Sequence, residues 1–289
     1  RRLGYLPLPP RSTAQPIALR PHLLSRRRTR PHSLIPRLRE VPRLPNGHAS
    51  PYGNATMNRP PKVPGWLRPS RTIPVTPWRS ASRWRARPST LGVLFLGLWL
   101  FGTGEALLVV ADLGNGPWTV FAQGLTVHTP MSIGLATFVL SVMVLLLWIP
   151  LRERPGLGTI ANAIIIAGAL QIGVQVIPSP SALWLRLLFV IGGIALIGLG
   201  SGLYLTTNLG PGPRDGWMTG LHVRFGWPVA RVRTGIEASV VVIGWLLGGT
   251  VGLGTVLFAL FVGPSVGWGL RLMDRGDSSP DTGAPELEA

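Results

Sequence analysis

The chain has 289 residues, of which 46% are apolar and only 13% charged, with 37 Gly, 29 Pro and no Cys. A charged fraction about half that of ordinary soluble domains excludes a typical water-soluble enzyme, and the lack of Cys excludes a disulfide framework and thiolate metal sites. The net charge of +17 would suit a nucleic-acid binder, but residues 1–90 carry 19 of the 28 basic residues with one acid, Glu40, while residues 91–289 carry nine Arg against ten Asp and Glu.

The basic segment, residues 1–90, is rich in Pro and Arg and shows no apolar periodicity. It cannot bury enough surface to offset the entropy of ordering it, so a disordered tail is expected. The first Met is Met57, in the run Met57-Asn58-Arg59-Pro60-Pro61-Lys62. The native start is therefore expected near Met57, with residues 1–56 outside the native protein. Trp66, Trp78 and Trp84 form no regular aromatic–basic pattern. Trp84, Arg83, Arg85 and Arg87 abut a long apolar run, where interfacial aromatics and cytoplasmic positive charge belong. No nucleic-acid partner is expected.

From Leu91 the chain divides into apolar segments of about 20 residues, the length that crosses a bilayer as a helix. Spans are expected at 91–111, 131–150, 158–177, 184–206, 232–249 and 253–271, followed by a disordered tail over 273–289. The fold class is thus an all-α polytopic membrane protein. Arg152, Arg154, Arg214, Arg224, Arg231, Arg233, Arg271 and Arg275 fall on one side if the amino terminus is inside. Arg186 is the exception, with a stem long enough to snorkel. The positive-inside rule then places both termini in the cytoplasm of a bacterial plasma membrane.

An offset of 96 residues superposes the two halves of the membrane region without a gap. Gly102, Gly104, Leu113, Gly114, Gly116 and Pro117 meet Gly198, Gly200, Leu209, Gly210, Gly212 and Pro213, and Gly156-Leu157-Gly158-Thr159 meets Gly252-Leu253-Gly254-Thr255. Repeat one (91–177) and repeat two (184–271) each contain three spans. An odd number inverts the second repeat relative to the first, an arrangement common in secondary transporters.

Each repeat has a Gly-Pro loop: Leu113-Gly114-Asn115-Gly116-Pro117-Trp118 and Leu209-Gly210-Pro211-Gly212-Pro213-Arg214-Asp215-Gly216. With the stretches 146–159 and 233–237, these segments resemble those of bacterial YczE/YitT-type integral membrane proteins, the YczE-like ones most closely. The resemblance covers about 91–272 and implies a multi-span plasma-membrane protein. It carries no activity and no site assignment.

Gly admits positive φ, and Pro suits the first turn of a helix. Each loop is therefore expected to turn sharply into a short helix, about 117–125 and 213–223, whose free N–H groups suit an anion or carboxylate. Gly114, Gly116, Pro117, Gly210, Gly212, Pro213, Arg214 and Asp215 are the ligand-binding candidates, Asp215 either capping the helix or pairing with Arg214. Either both loops dip inward to one pseudo-symmetric site, or both are surface turns.

Glu105 lies within the first span, where a charge is costly unless protonated or paired, and it is the candidate coupling residue. Gln171 and Gln175, four apart, share a helix face and are the pathway candidates, with Asn162 offset from them. Glu237 follows Arg233 by four and reads as a local structural pair. No metal-ligand cluster, cofactor motif or catalytic constellation stands out, so neither an enzyme nor a cofactor is expected. Two functions fit: secondary transport of a small solute or ion, or an accessory protein that binds a cytoplasmic or membrane partner through the 207–231 loop.

Overall fold

The computed structural model of the protein describes residues 73–274. Among the described residues there are helices and connecting loops but no strand. The helices are α1 (Pro88–Ala111), α2 (Pro117–His128), α3 (Ile133–Leu146), α4 (Trp148–Leu151), α5 (Leu157–Val176), α6 (Leu183–Thr206), α7 (Pro213–Phe225), α8 (Val229–Leu246) and α9 (Leu253–Met273). Their ends follow local chemistry. Pro88, Pro117 and Pro213 open α1, α2 and α7 at the position where a missing N–H costs nothing. Ser132 caps α3 by accepting the Leu135 N–H at 3.3 Å, and α7 stops at Gly226 with φ 69°.

Five segments are long and apolar enough to cross a membrane: α1, α3 continued through α4 (Ile133–Leu151), α5, α6 and α9. The expected span at 232–249 is helix α8, which begins at Val229 and so takes in Arg231 as well as Arg233 and Glu237. Its charge content keeps it out of that set on composition alone. Large apolar side chains face outward along the other helices, among them Phe95, Ile164, Leu188, Ile191, Leu260 and Phe261. Such a surface is suited to lipid, where backbone groups must be satisfied within helices.

Residues 73–90, read from composition as part of a tail, are placed against the helices. Residues 73–87 run along the start of α5 and the end of α6, and α1 begins at Pro88. The Trp78 Nε1–H donates to Thr206 Oγ1 at 3.0 Å, Ser80 N–H to the Thr207 carbonyl at 2.9 Å, and Leu157 N–H to the Arg83 carbonyl at 2.9 Å. These partners sit at the end of α6 and the start of α5, so order here depends on tertiary contacts that composition does not report. The remainder of the expected amino-terminal tail, including 1–56, and residues 275–289 lie outside the described residues.

Element starts recur at the 96-residue offset: Pro117 and Pro213, Ile133 and Val229, Leu157 and Leu253. The corresponding helices α1 and α6 cross through small residues and run antiparallel, because Gly97 faces Gly200 while Gly104 faces Gly193. A Cβ on Gly97 would stand 2.9 Å from the Gly200 carbonyl oxygen, and one on Gly104 2.6 Å from that of Gly193. Gly193 and Gly200 are themselves the counterparts of Gly97 and Gly104, so each glycine packs on its partner's equivalent. In lipid, such close backbone approach replaces the hydrophobic effect as the source of helix association.

Candidate functional site

The two Gly-Pro loops are built alike and held reciprocally. Gly114 and Gly210 take φ of 104° and 118°, a region that side-chain-bearing residues rarely occupy. Gly116 and Gly212 then adopt nearly identical extended conformations, with φ/ψ of −63°/154° and −60°/157°, and lead into Pro117 and Pro213. Gly158 N–H, at the start of α5, donates to the Leu209 carbonyl at 2.9 Å, while Gly254 N–H, at the start of α9, donates to the Leu113 carbonyl at 2.7 Å. Each half thus grips the other half's loop with the same backbone bond. Thr159 Oγ1–H adds a bond to the Pro211 carbonyl at 2.8 Å, and Trp148 Nε1–H one to the Pro213 carbonyl at 2.9 Å.

Between the loops lies a cavity of about 230 Å³. Most of its wall comes in pairs at the 96-residue offset: Phe101 with Ile197, Glu105 with Ser201, Gly116 with Gly212, Pro117 with Pro213, Trp118 with Arg214, Thr137 with Arg233, Ser141 with Glu237, Asn162 with Phe258, and Ile166 with Val262. Tyr204 and Asp215 add to its polar side, and Leu205, Met218 and Val266 to its apolar side.

An ion pair bridges the halves across this space. Arg214 Nη1 lies 3.6 Å from Glu105 Oε1, and the guanidinium stands 5.1 Å from the ring centroid of Trp118, within cation–π range. Glu105 is 3% exposed, and its other oxygen accepts the Thr119 hydroxyl. Burial of a carboxylate is tolerable when it is paired and hydrogen-bonded in this way. Asp215 does not pair with Arg214; its Oδ2 accepts the Tyr204 hydroxyl at 3.1 Å. Arg233 Nε and Glu237 Oε1 meet at 3.0 Å on α8, facing the cavity. Thr137, 2% exposed, is one of the lining residues, and its enclosed hydroxyl has no hydrogen-bond partner among the described residues.

Of the residues singled out from the sequence, Glu105, Gly116, Pro117, Gly212, Pro213, Arg214 and Asp215 line this cavity. Gly114 and Gly210 lie behind it, where a Cβ on Gly114 would meet Thr255 Oγ1 at 2.7 Å and one on Gly210 would meet Thr159 Oγ1 at 2.7 Å. They shape the turns and do not line the cavity. Gln171 spends its Oε1 on the Gly134 N–H at 3.0 Å, tying α5 to α3, and Gln175 is exposed on the outer part of α5. Neither reaches the cavity, whereas Asn162 does. Sequence reasoning missed Tyr204, Thr137 and Ser141; it read Arg233–Glu237 as a local pair, which the structure shows, but not that the pair faces the cavity. The signal that finds four of these is the repeat itself, since 137 with 233 and 141 with 237 are polar in both halves, as are 105 and 201.

Long apolar helices with outward-facing hydrophobic side chains, enclosing a small polar cavity, define an α-helical, multi-span membrane protein. More particularly, the chain belongs to the family of unknown function DUF6198, which its residues 89–271 match. It is 45% identical over 205 residues to an uncharacterized protein of Haemophilus influenzae, covering 71% of this chain and 94% of that one. It is 29% identical over 171 residues to the uncharacterized membrane protein YczE of Bacillus subtilis, covering 58% of this chain and 80% of YczE. The likeness read from the Gly-Pro loops is therefore a likeness of most of the membrane region. No solved structure matches the chain.

Proposed function

We propose that this protein is a secondary transporter of a small solute in the bacterial plasma membrane, built from two inverted three-span repeats with both termini cytoplasmic. The observation that carries the reading is the cavity, whose walls are equivalent residues of the two halves and whose central ion pair, Glu105–Arg214, joins one half to the other. Alternating access requires two halves able to exchange roles around a fixed site, and a contact between the halves that differs between states suits that exchange.

Three further features support it. Equivalent helices that cross antiparallel, as α1 and α6 do, are related by a two-fold axis across their length, which is the relation an inverted repeat requires. Helix α8 serves as the sixth span because Arg233 and Glu237 face the cavity and each other, while Val240 to Leu246 stay apolar. Arg186, the one basic residue assigned outside, is met at the end of α1 by Asp112 at 3.9 Å and donates to the Pro180 carbonyl at 2.9 Å.

The rival reading, docking of a partner on the 207–231 segment, keeps only part of its surface. Leu209, Pro213, Gly216, Met218 and Gly220 are buried, whereas 223–231 is exposed throughout, including Val223 and the stacked pair Phe225 and Trp227 between Arg224 and Arg231. Aromatic and basic residues together at that level also suit the lipid–water interface. The two readings separate in one experiment. Under the transport reading, Gly116→Val and Gly212→Val each abolish solute counterflow in reconstituted vesicles, while Phe225→Ser with Trp227→Ser leaves it intact. Loss of the cellular phenotype in the Phe225/Trp227 variant alone, with both glycine variants active, would favour the partner.

A further inference from the structure

Taking the transport reading as its basis, we infer that the solute is a small zwitterion of the neutral amino-acid type, with its carboxylate on Arg214 and the starts of α2 and α7, and its ammonium on the Asp215–Glu237 side. The argument starts from what the cavity leaves unused. Arg214 lies on Trp118 and 3.6 Å from Glu105 but makes no hydrogen bond among the described residues, so its planar fork of donors is open. The helices α2 and α7, of 12 and 13 residues, both begin at the cavity, bringing the positive ends of their dipoles toward it. The buried Thr137 hydroxyl also lacks a partner, an arrangement that a native protein sustains when a ligand or water completes it. Together these donors ask for a carboxylate.

The opposite demand comes from the acids. Glu105, Asp215 and Glu237 face the cavity against two guanidinium groups, Arg214 and Arg233, which leaves a formal surplus of negative charge. A plain anion would meet the donors but add to that surplus, and a plain cation would offset it but leave the Arg214 fork and both helix starts unfilled. A zwitterion uses both sets and brings no net charge. In an amino acid the two charged groups share one carbon, so the donor and acceptor must be neighbours. Arg214 and Asp215 both line the cavity from the first turn of α7. Phe101, Ile197, Phe258 and Val262 provide an apolar wall for a short side chain, and a volume of about 230 Å³ sits below the usual range for larger organic ligands.

The test uses the full chain in lipid nanodiscs, with glycine, L-alanine, L-serine and L-valine as probes, and propionate and ethylamine as alanine analogues that lack the ammonium or the carboxylate. Titration calorimetry should show at least one of the four amino acids binding about tenfold or more tighter than either analogue, a difference large enough to resolve. Arg214→Gln should abolish that binding. Thr137→Val should weaken it severalfold while leaving the melting temperature of the unliganded protein unchanged or raised, since the hydroxyl it removes has no partner to lose. Binding of propionate or ethylamine equal to that of every amino acid, or silence from all four amino acids, would overturn the inference. Counterflow separates the two claims. Amino-acid binding without counterflow overturns transport and leaves the site, whereas counterflow of ethylamine or propionate alone leaves transport and overturns the zwitterion.

Discussion

The two walls of the cavity share a backbone and differ in chemistry. The loop before α2 and the loop before α7 have matching dihedral angles, matching Pro starts and matching backbone bonds to the other half. At the positions that face the cavity, however, Trp118 stands opposite Arg214, Thr137 opposite Arg233, Ser141 opposite Glu237, and Ser201 opposite Glu105. The contrast separates two tasks. Residues that set the path of the chain, mainly glycines and prolines, are held to the symmetry, whereas residues that face the cavity or each other are free to depart from it. Charge is placed so that pairs form across the halves, as Arg214 does with Glu105, or within one helix, as Arg233 does with Glu237.

If scaffold positions are symmetric and site positions are not, substitutions at scaffold pairs should have equal effects. The largest is expected where α1 and α6 cross. The counterpart substitutions Gly104→Leu and Gly200→Leu each force a side chain against the other helix's backbone, with even the Cβ 2.6 Å or less from a carbonyl oxygen. Each should cost roughly 3 kcal/mol or more of stability. The check is the fraction of monodisperse protein after heating in detergent, and one variant behaving as wild type would break the equivalence.

Next in size is the asymmetric pair. Glu105→Gln and Arg214→Gln each leave a partner charge poorly compensated, at about 2 kcal/mol apiece. The double variant should lose less than the two together, with a coupling of about 1 kcal/mol in a double-mutant cycle read from thermal unfolding. Additive losses would mean that the 3.6 Å contact contributes little. The smallest effect on this scale is expected at the turns. Gly114→Ala and Gly210→Ala should each cost on the order of 1 kcal/mol or slightly more, because both sit at positive φ against the other half's helix start. A clear inequality between them would show that the two loops are not equally constrained.

Much of this was legible from sequence because bilayer length and the 96-residue repeat are both coarse, long-range patterns. The start of α1 at Pro88, ahead of the apolar run, was not, since Ser89 and Thr90 are polar and Thr90 is buried by neighbours that sequence does not name. The ordered path of 73–87 depends on Thr206, Thr207 and Leu157, far along the chain. Glu105 was visible as a charge in a span, but its partner was not, because the pair joins residues 105 and 214 across the two halves. Gln171 and Gln175 show the limit from the other direction. Their spacing places them on one helix face, yet periodicity cannot say whether that face meets a cavity, a neighbouring helix or lipid.

The central claim is that equivalent elements lie on opposite sides of the bilayer, and the chain's lack of Cys makes it directly measurable. His128, at the end of α2, and Arg224, near the end of α7, are counterparts at the 96-residue offset and both are exposed. Single variants His128→Cys and Arg224→Cys, treated in intact cells with a membrane-impermeant maleimide, should give labelling of His128→Cys only, with Arg224→Cys reacting after the membrane is opened. Labelling of both from the same side would contradict the inverted repeat and, with it, the reading of the cavity as a site that alternates between the two faces.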